Sequence, residues 1–482
     1  MRDKRRSPSH QPYLTSIPIP QSNNVETADI VDRTAIRPKA KQKLGGPWVM
    51  ILGFALIVVF GTLLLKLPVA ARDGTTITWE DAFFTATSAT TVTGLAVRNT
   101  ANDFSFVGQI FILLLLQVGG VGFIAFSVLL YRIIGRRITL QTRFLVQQSL
   151  GTQEASGVVQ LALYVLAITL GLEATGALLL WLRWRTTLGD AEAAWQAIFH
   201  AISSYCNAGF DLFNGAGQGV LFGYGSDWYT LGVLSLLIIL GGLGITVMYD
   251  LWSYRYDRML SLHTKLTLVL TATLTGLGML VMLLDHDYNS PVLNHMASSE
   301  RVAAEFFTVV SARTAGVTIL PLEQLSESTQ LMILLSMFIG AAPASMAGGV
   351  TTSTVAVLLT AVVATARGHQ SAVTFGRTLP LETIAKAVAI MTVSSLLVFV
   401  VTMLLTLRHE GSLLEVVFEV VSAFSNTGYS LNFTSELDAM GRFLIAFTMF
   451  WGRLGPLTIV VALAQSEQPT LISYPEEPVI MG

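Results

Sequence analysis

Cysteine is almost missing from this chain: Cys206 stands alone in 482 residues, which excludes an internal disulfide and any cysteine-based metal or redox centre. Charge is scarce too. Asp, Glu, Lys and Arg make up 12% of the residues, about half the share usual in soluble proteins. The seven histidines are scattered without metal-ligand spacing. Nucleophile-elbow, zinc-protease and phosphate-loop signatures are missing as well, so an enzyme is disfavoured and no cofactor is expected in this chain. No Gly-rich dinucleotide fold is present, and any nucleotide control must come from another chain. A net charge of −2 leaves no footprint for a nucleic-acid partner.

What the chain has instead is apolar residues, 52% of the total, gathered in runs near 48–67, 106–131, 161–182, 229–252, 266–284, 331–365, 387–407 and 443–464. Runs of that length suit membrane crossings, and eight are expected. Four copies of one phrase lie among them: Phe84 to Gly94, Phe199 to Gly209, Phe306 to Gly316 and Phe418 to Gly428, each with Phe ten positions before Gly. The glycines are 115, 107 and 112 residues apart, a period too long for a solenoid. A second glycine follows each at 25, 32, 24 and 24 positions, namely Gly119, Gly241, Gly340 and Gly452.

Each repeat thus holds two crossings with a phrase between them too short to span a bilayer. A re-entrant hairpin is the reading. The expected fold is an all-α polytopic membrane protein, with four membrane-pore-membrane repeats in pseudo-fourfold arrangement around a central ion pore. The divisions are a tail over 1–46, repeats over 47–135, 136–254, 255–366 and 367–465, and a tail over 466–482. The amino-terminal tail with Arg132, Arg136, Arg137, Arg143, Arg255, Arg258, Lys265, Arg367, Arg377 and Lys386 carries 19 of the 29 Lys and Arg. Those segments are expected to face the cytoplasm, with both termini there and the phrases entering from outside. The basic clusters also suit anionic membrane lipid.

Irregular backbone at membrane depth survives only where protein or a watery cavity satisfies it, and carbonyls turned to an axis can be satisfied by ions. The short helices aim their carboxyl-terminal, negative ends at that axis, which favours cations. Residues flanking the four glycines are mostly Thr, Ser, Asn or Ala, without an acidic ring, so monovalent cations are favoured over divalent ones. Residues 340–354, GAAPASMAGGVTTST, interrupt the second crossing of repeat three. Small residues with Pro343, Gly348 and Gly349 cannot keep a straight helix there. Arg453, in the last crossing, faces the pathway on one reading and helix-end carbonyls on another. Arg313 is expected to brace the phrase from behind. Glu173 is either an ion or proton site or a hydrogen-bonded packing residue.

The stretches 90–97 (TTVTGLAV), 204–212 (SYCNAGFDL), 311–319 (SARTAGVTI), 422–431 (SAFSNTGYSL), 340–354 and 451–459 (WGRLGPLTI) resemble the Trk/Ktr/HKT superfamily of potassium transporters, nearest the membrane subunit of Ktr type. That resemblance implies a selectivity filter of backbone carbonyls at Val92, Thr93, Gly94 and Leu95, Asn207, Ala208, Gly209 and Phe210, Thr314, Ala315, Gly316 and Val317, and Asn426, Thr427, Gly428 and Tyr429. It implies a gate at Gly340, Pro343, Gly348, Gly349, Thr351, Thr352 and Ser353 with Arg453. Gly in all four phrases goes with potassium as the transported ion in this family. The resemblance further implies a homodimer in the cell membrane and a cytosolic ring of nucleotide-binding regulatory subunits. The ring is expected to dock on 132–143, 254–265, 367–386 and the carboxyl-terminal tail. A secondary transporter coupled to sodium or protons is the alternative, although its repeats are typically inverted.

Overall fold

The structure, a computed structural model, describes residues 46–122, 158–213, 224, 226–285, 297–343, 345–346 and 348–455, all within one compact unit that begins at Gly45. Both tails and the loop at 132–143 lie outside the described residues. Repeat one holds α1 (Gly46–Lys66), α2 (Trp79–Thr91) and α3 (Phe106–Val121). Repeat two holds α4 (Val158–Leu188), α5 (Asp190–Tyr205), α6 (Trp228–Leu243) and α7 (Ile245–Asp257). Repeat three holds α8 (Leu262–Leu284), α9 (Ser298–Ser311), α10 (Glu327–Ile339) and α11 (Thr352–Ala366). Repeat four holds α12 (Leu381–Thr406), α13 (Leu413–Ser425) and α14 (Ala439–Leu454). A two-stranded antiparallel hairpin pairs Val373–Thr374 with Arg377–Thr378 between α11 and α12.

The first helix of each repeat is long and apolar enough to cross a membrane, over Trp48–Lys66, Ala162–Leu188, Leu262–Leu284 and Leu381–Thr406. At most about a third of each span is buried inside the protein, as expected of an outer wall that faces lipid. The second helices show that the break expected in repeat three alone has a counterpart in every repeat. They have 16, 16, 13 and 16 residues and end at Gly122, Gly244, Gly340 and Gly455. Those glycines carry φ of +88°, +79°, +52° and +81°, a left-handed backbone that stops a helix and that glycine accepts without a Cβ penalty. In repeat two the chain turns by 98° at Gly244 before α7. One α7 face shows Tyr249, Trp252 and Tyr256 exposed.

The four short helices α2, α5, α9 and α13 fill the interior. Acidic residues open each one: Glu80 and Asp81, Asp190 and Glu192, Glu300, and Glu415. Such charges favour the positive helix end. Thr78 caps α2 by accepting from the Asp81 N–H at 3.2 Å, and Ser412 with Glu415 forms a capping box on α13. Each short helix packs on the second helix of the preceding repeat: α5 on α3, α9 on α6 and α13 on α10, with α2 on α14 closing the series.

The closing junction carries an ion cluster. Asp81, buried, accepts from Arg98 at 2.8 Å and from Arg442 of α14 at 2.6 Å. Asp81→Ala strands two guanidinium groups, one of them only a quarter exposed, and removes a carboxylate from a helix start. We expect about 2 kcal/mol of lost stability, read as a lower melting temperature of the purified protein; an unchanged melt contradicts a structural role for the cluster.

Candidate ion site and gate

The carboxyl-terminal ends of the short helices meet at the four phrase glycines, and the backbone explains how. In repeats one, two and four a left-handed residue precedes the glycine by two positions: Val92 (φ +59°), Asn207 (+57°) and Asn426 (+54°). The next N–H returns to the helix, Thr93 to Ser88 O, Ala208 to Ser203 O and Thr427 to Ser422 O, at 2.8, 2.7 and 3.0 Å. This bond spans five residues, as in a Schellman C-cap. The Ser88 and Ser422 hydroxyls then accept from the N–H of Gly94 and Gly428 at 3.1 and 3.0 Å. Asn tolerates a left-handed backbone, whereas β-branched Val92 is an outlier held by these bonds.

Gly94, Gly209, Gly316 and Gly428 all have positive φ, +92°, +71°, +67° and +94°, and they form a closed cycle of close approaches. A Cβ on Gly94 would stand 2.6 Å from Ala208 O, one on Gly209 2.7 Å from Ala315 O, one on Gly316 1.9 Å from Thr427 O, and one on Gly428 2.1 Å from Thr93 O. Four carbonyl oxygens, one from each repeat, are thereby gathered among four glycines. A collar of neutral carbonyl dipoles suits a monovalent cation leaving its hydration shell. Thr93, Leu95, Ala208, Phe210, Thr314, Ala315, Val317, Thr427 and Tyr429 are buried around it. The Tyr429 hydroxyl donates across the repeat boundary to Thr308 O at 3.1 Å and Val317 O at 3.2 Å.

Repeat three departs from the expected register. The buried phenylalanines are Phe84, Phe199, Phe418 and Phe307, whereas Phe306 is 37% exposed. Here the five-residue bond comes from Gly316 itself to Ser311 O at 3.1 Å, and Thr314 is not left-handed. The turn is one residue shorter, so the anchoring ring moves one residue toward the glycine.

The second glycine series has a definite job in three repeats. A Cβ on Gly119, Gly241 or Gly452 would lie 1.9 Å from Thr90 O, Tyr205 O or Phe424 O, so these glycines admit the second helix against the end of its own short helix. Gly340 keeps the spacing without that contact, and ends α10 instead.

The described residues between 340 and 351 are non-helical and reach from repeat two to repeat four. Ala342 N–H donates to Gly242 O at 3.1 Å and Met346 N–H to Gly241 O at 3.3 Å, while Gly349 N–H reaches Gly452 O at 3.4 Å. Pro343 lies in the turn of this loop. Gly348 and Gly349 press on the α13 end, where added Cβ atoms would meet Asn426 Oδ1 at 1.9 Å and Ser425 Cα at 2.9 Å. Thr351 stands at the start of α11 without a side-chain capping bond, Thr352 is buried, and the Ser353 hydroxyl pairs with His263 Nδ1 at 3.0 Å. Arg453 reaches helix-end carbonyls: its guanidinium donates to Met346 O in the loop and to Gly119 O and Gly120 O at the end of α3. One side chain therefore ties the loop to repeat one.

Arg313 donates to Gly340 O at 3.4 Å, so it braces the start of the loop, and it lines a small, partly open pocket with Gly242, Thr275, Thr314 and Ala341. Glu173 of α4 is buried and accepts from Gln117 of α3 at 3.1 Å and from the Cys206 thiol, just past α5, at 3.6 Å. Among the described residues no group of three His, Cys, Asp or Glu side chains is placed to hold a metal. Sequence reasoning missed the side-chain roles of Asn207 and Asn426; their shared place two residues before a phrase glycine is the signal that marks them.

Known proteins are similar over nearly the whole chain. The family model TrkH, described as a cation transport protein, matches residues 50–474. Ktr system potassium uptake protein B of Bacillus subtilis is 38% identical over 90% of this chain and 96% of its own length. The protein of the same name from Vibrio alginolyticus is 35% identical over 92% and 96%. The potassium/sodium uptake protein NtpJ of Enterococcus hirae is 33% identical over 93% and 100%. The crystal structure of the potassium transporter TrkH from Vibrio parahaemolyticus has the same fold, with a TM-score of 0.69 at 18% identity, covering 88% of this chain and 86% of that one. With its spanning helices and this match over most of its length, the chain is a multi-pass membrane protein and belongs to the TrkH family of cation transport proteins.

Proposed function

We propose that this chain takes up potassium across the cell membrane through a channel-like pore, with both termini in the cytoplasm. The observation that carries the reading is the closed cycle in which each phrase glycine faces a backbone carbonyl of the next repeat, from Gly94 through Gly209 and Gly316 to Gly428 and back. That cycle supports a pseudo-fourfold axis with a carbonyl filter at Val92 to Leu95, Asn207 to Phe210, Thr314 to Val317 and Asn426 to Tyr429. Potassium is the cargo named for the relatives from Bacillus and Vibrio. The loop 340–351 is the gate, with Thr351, Thr352 and Ser353 at its exit and Arg453 holding it.

Control falls to a cytosolic nucleotide-binding regulatory subunit, and the membrane unit is a homodimer. The relatives' description as part of a Ktr system supports a partner component. Two of the segments assigned to docking meet in the structure, with Lys265 Nζ 5.8 Å from the Phe375 ring centre on the hairpin. Sodium stays in view as a second cargo because one relative carries both ions in its name, and coupled transport is the second reading.

The test is potassium against sodium flux into liposomes holding the purified protein, beside Gly94→Ser. The new Cβ stands 2.6 Å from Ala208 O, closer than real contacts allow, so the ring must give way. We expect passive potassium flux with a preference over sodium that weakens in Gly94→Ser. Equal passage of both ions by both proteins would falsify the filter assignment. Flux that needs a sodium or proton gradient, also with a regulatory subunit added, selects coupled transport.

A further inference from the structure

Three of the four phrases share one left-handed turn before the glycine, but only repeats two and four place an amide side chain beside the ring. Asn426 Nδ2 donates to Met449 O on its own second helix at 2.9 Å and to the Thr93 hydroxyl of repeat one at 2.8 Å. Asn207, with its amide turned as its neighbours require, repeats the pattern. Its Nδ2 donates to Ser204 O at 3.0 Å and Ile238 O at 3.2 Å, and its Oδ1 accepts from the Thr314 hydroxyl of repeat three at 3.1 Å. Met449 and Ile238 each stand three residues before the packing glycine, Gly452 or Gly241. Both amides are 1% exposed. Repeats one and three have Val92 and Thr314 at the matching positions.

From this we infer that Asn207 and Asn426 are positioning residues for ion specificity: two cross-repeat amide bridges that set the spacing of the carbonyl ring. The inference rests on the filter reading above. Thr93 and Thr314 are one and two residues before a ring glycine, so an amide that fixes either hydroxyl also fixes the adjoining carbonyls. The bridges cross only the boundaries from repeat two to three and from four to one. The bracing thereby joins the four repeats at two of their four boundaries. Discrimination between potassium and sodium needs oxygens held at a set spacing and field, and a buried hydrogen bond left without its partner is costly enough to move them.

The experiment is the potassium-to-sodium flux ratio of the purified full-length protein in liposomes, with melting temperature measured alongside. Thr93→Val deletes the acceptor at nearly constant volume, Thr93→Ser keeps it, and Asn426→Leu deletes the donor. Thr93→Val and Asn426→Leu are expected to lower the ratio about tenfold each, Thr93→Ser to keep it, and the Thr93→Val/Asn426→Leu double variant to fall no further than either single. Thr314→Val and Asn207→Leu are expected to behave as the same kind of pair. A wild-type ratio in Thr93→Val and Thr314→Val overturns the inference, as does strict additivity in the double variant. If an Asn variant fails to fold, the Thr93→Val against Thr93→Ser comparison decides alone. Loss of preference in Gly94→Ser with none in these variants defeats the bridges and leaves the filter; full preference in Gly94→Ser defeats the filter itself.

Discussion

Gly316→Ala and Gly428→Ala are expected to abolish cation flux, while Gly94→Ala and Gly209→Ala leave a measurable remainder. All four positions have φ between +67° and +94°, so any side chain there costs about 1–2 kcal/mol of backbone strain. The difference lies in what the new methyl meets. At Gly316 and Gly428 it falls 1.9 and 2.1 Å from the carbonyl oxygens of Thr427 and Thr93, against 2.6 and 2.7 Å at Gly94 and Gly209. Those oxygens belong to backbone already bonded into helix ends, so they cannot swing aside as a flexible side chain does. Overpacking adds about 1–3 kcal/mol, and the sum displaces the ring in most molecules at Gly316 and Gly428. Potassium flux into liposomes matched for protein content reads the result. Wild-type flux through Gly316→Ala would place the ion route elsewhere.

How much of this was open to a reader of the sequence depends on whether the signal was carried by residue type or by backbone angle. Membrane character, the four phrases and the family rest on residue type, and Gly94, Gly209, Gly316 and Gly428 stand together as the spacing suggested. The interruption at 340–354 was legible because Pro343 and two adjacent glycines are rare inside a helix. Gly122, Gly244 and Gly455 were not, because the apolar runs continue across them and hydropathy carries no information about φ. The ten-residue spacing to the phrase glycine selects Phe306 as the repeat-three anchor, since Phe307 misses it by one residue. Only the shorter turn closed by the Gly316 N–H selects Phe307. The bridges of Asn207 and Asn426 link residues more than a hundred positions apart, and pairing of that kind leaves no trace in a single chain.

The loop and the glycine ring are in direct contact through the end of α13. Gly348 stands against Asn426, and Gly349 against Ser425, so the loop supports the end of α13 from beneath. Thr352 N–H donates to Ala341 O at 2.9 Å, closing the loop on itself where it leaves and re-enters helix.

Arg453→Gln is expected to raise potassium flux about ten- to a hundredfold in the absence of any regulatory subunit. Arg453 is the one described side chain seen to bridge Met346 in the loop with Gly119 and Gly120 at the end of α3. Hydrogen bonds from a charged donor contribute about 1.5–3 kcal/mol each, and losing one such anchor shifts a two-state loop by one to two powers of ten. A fixed positive charge near the pathway also raises the barrier to cations. Arg453→Lys separates these effects, because lysine keeps the charge but lacks the planar fork that reaches two carbonyl sets at once. If the tether dominates, Lys and Gln raise flux alike. If charge dominates, only Gln does. A fall in flux with an unchanged melting temperature in both variants would mean that Arg453 holds the route open, and the loop would then not be the gate.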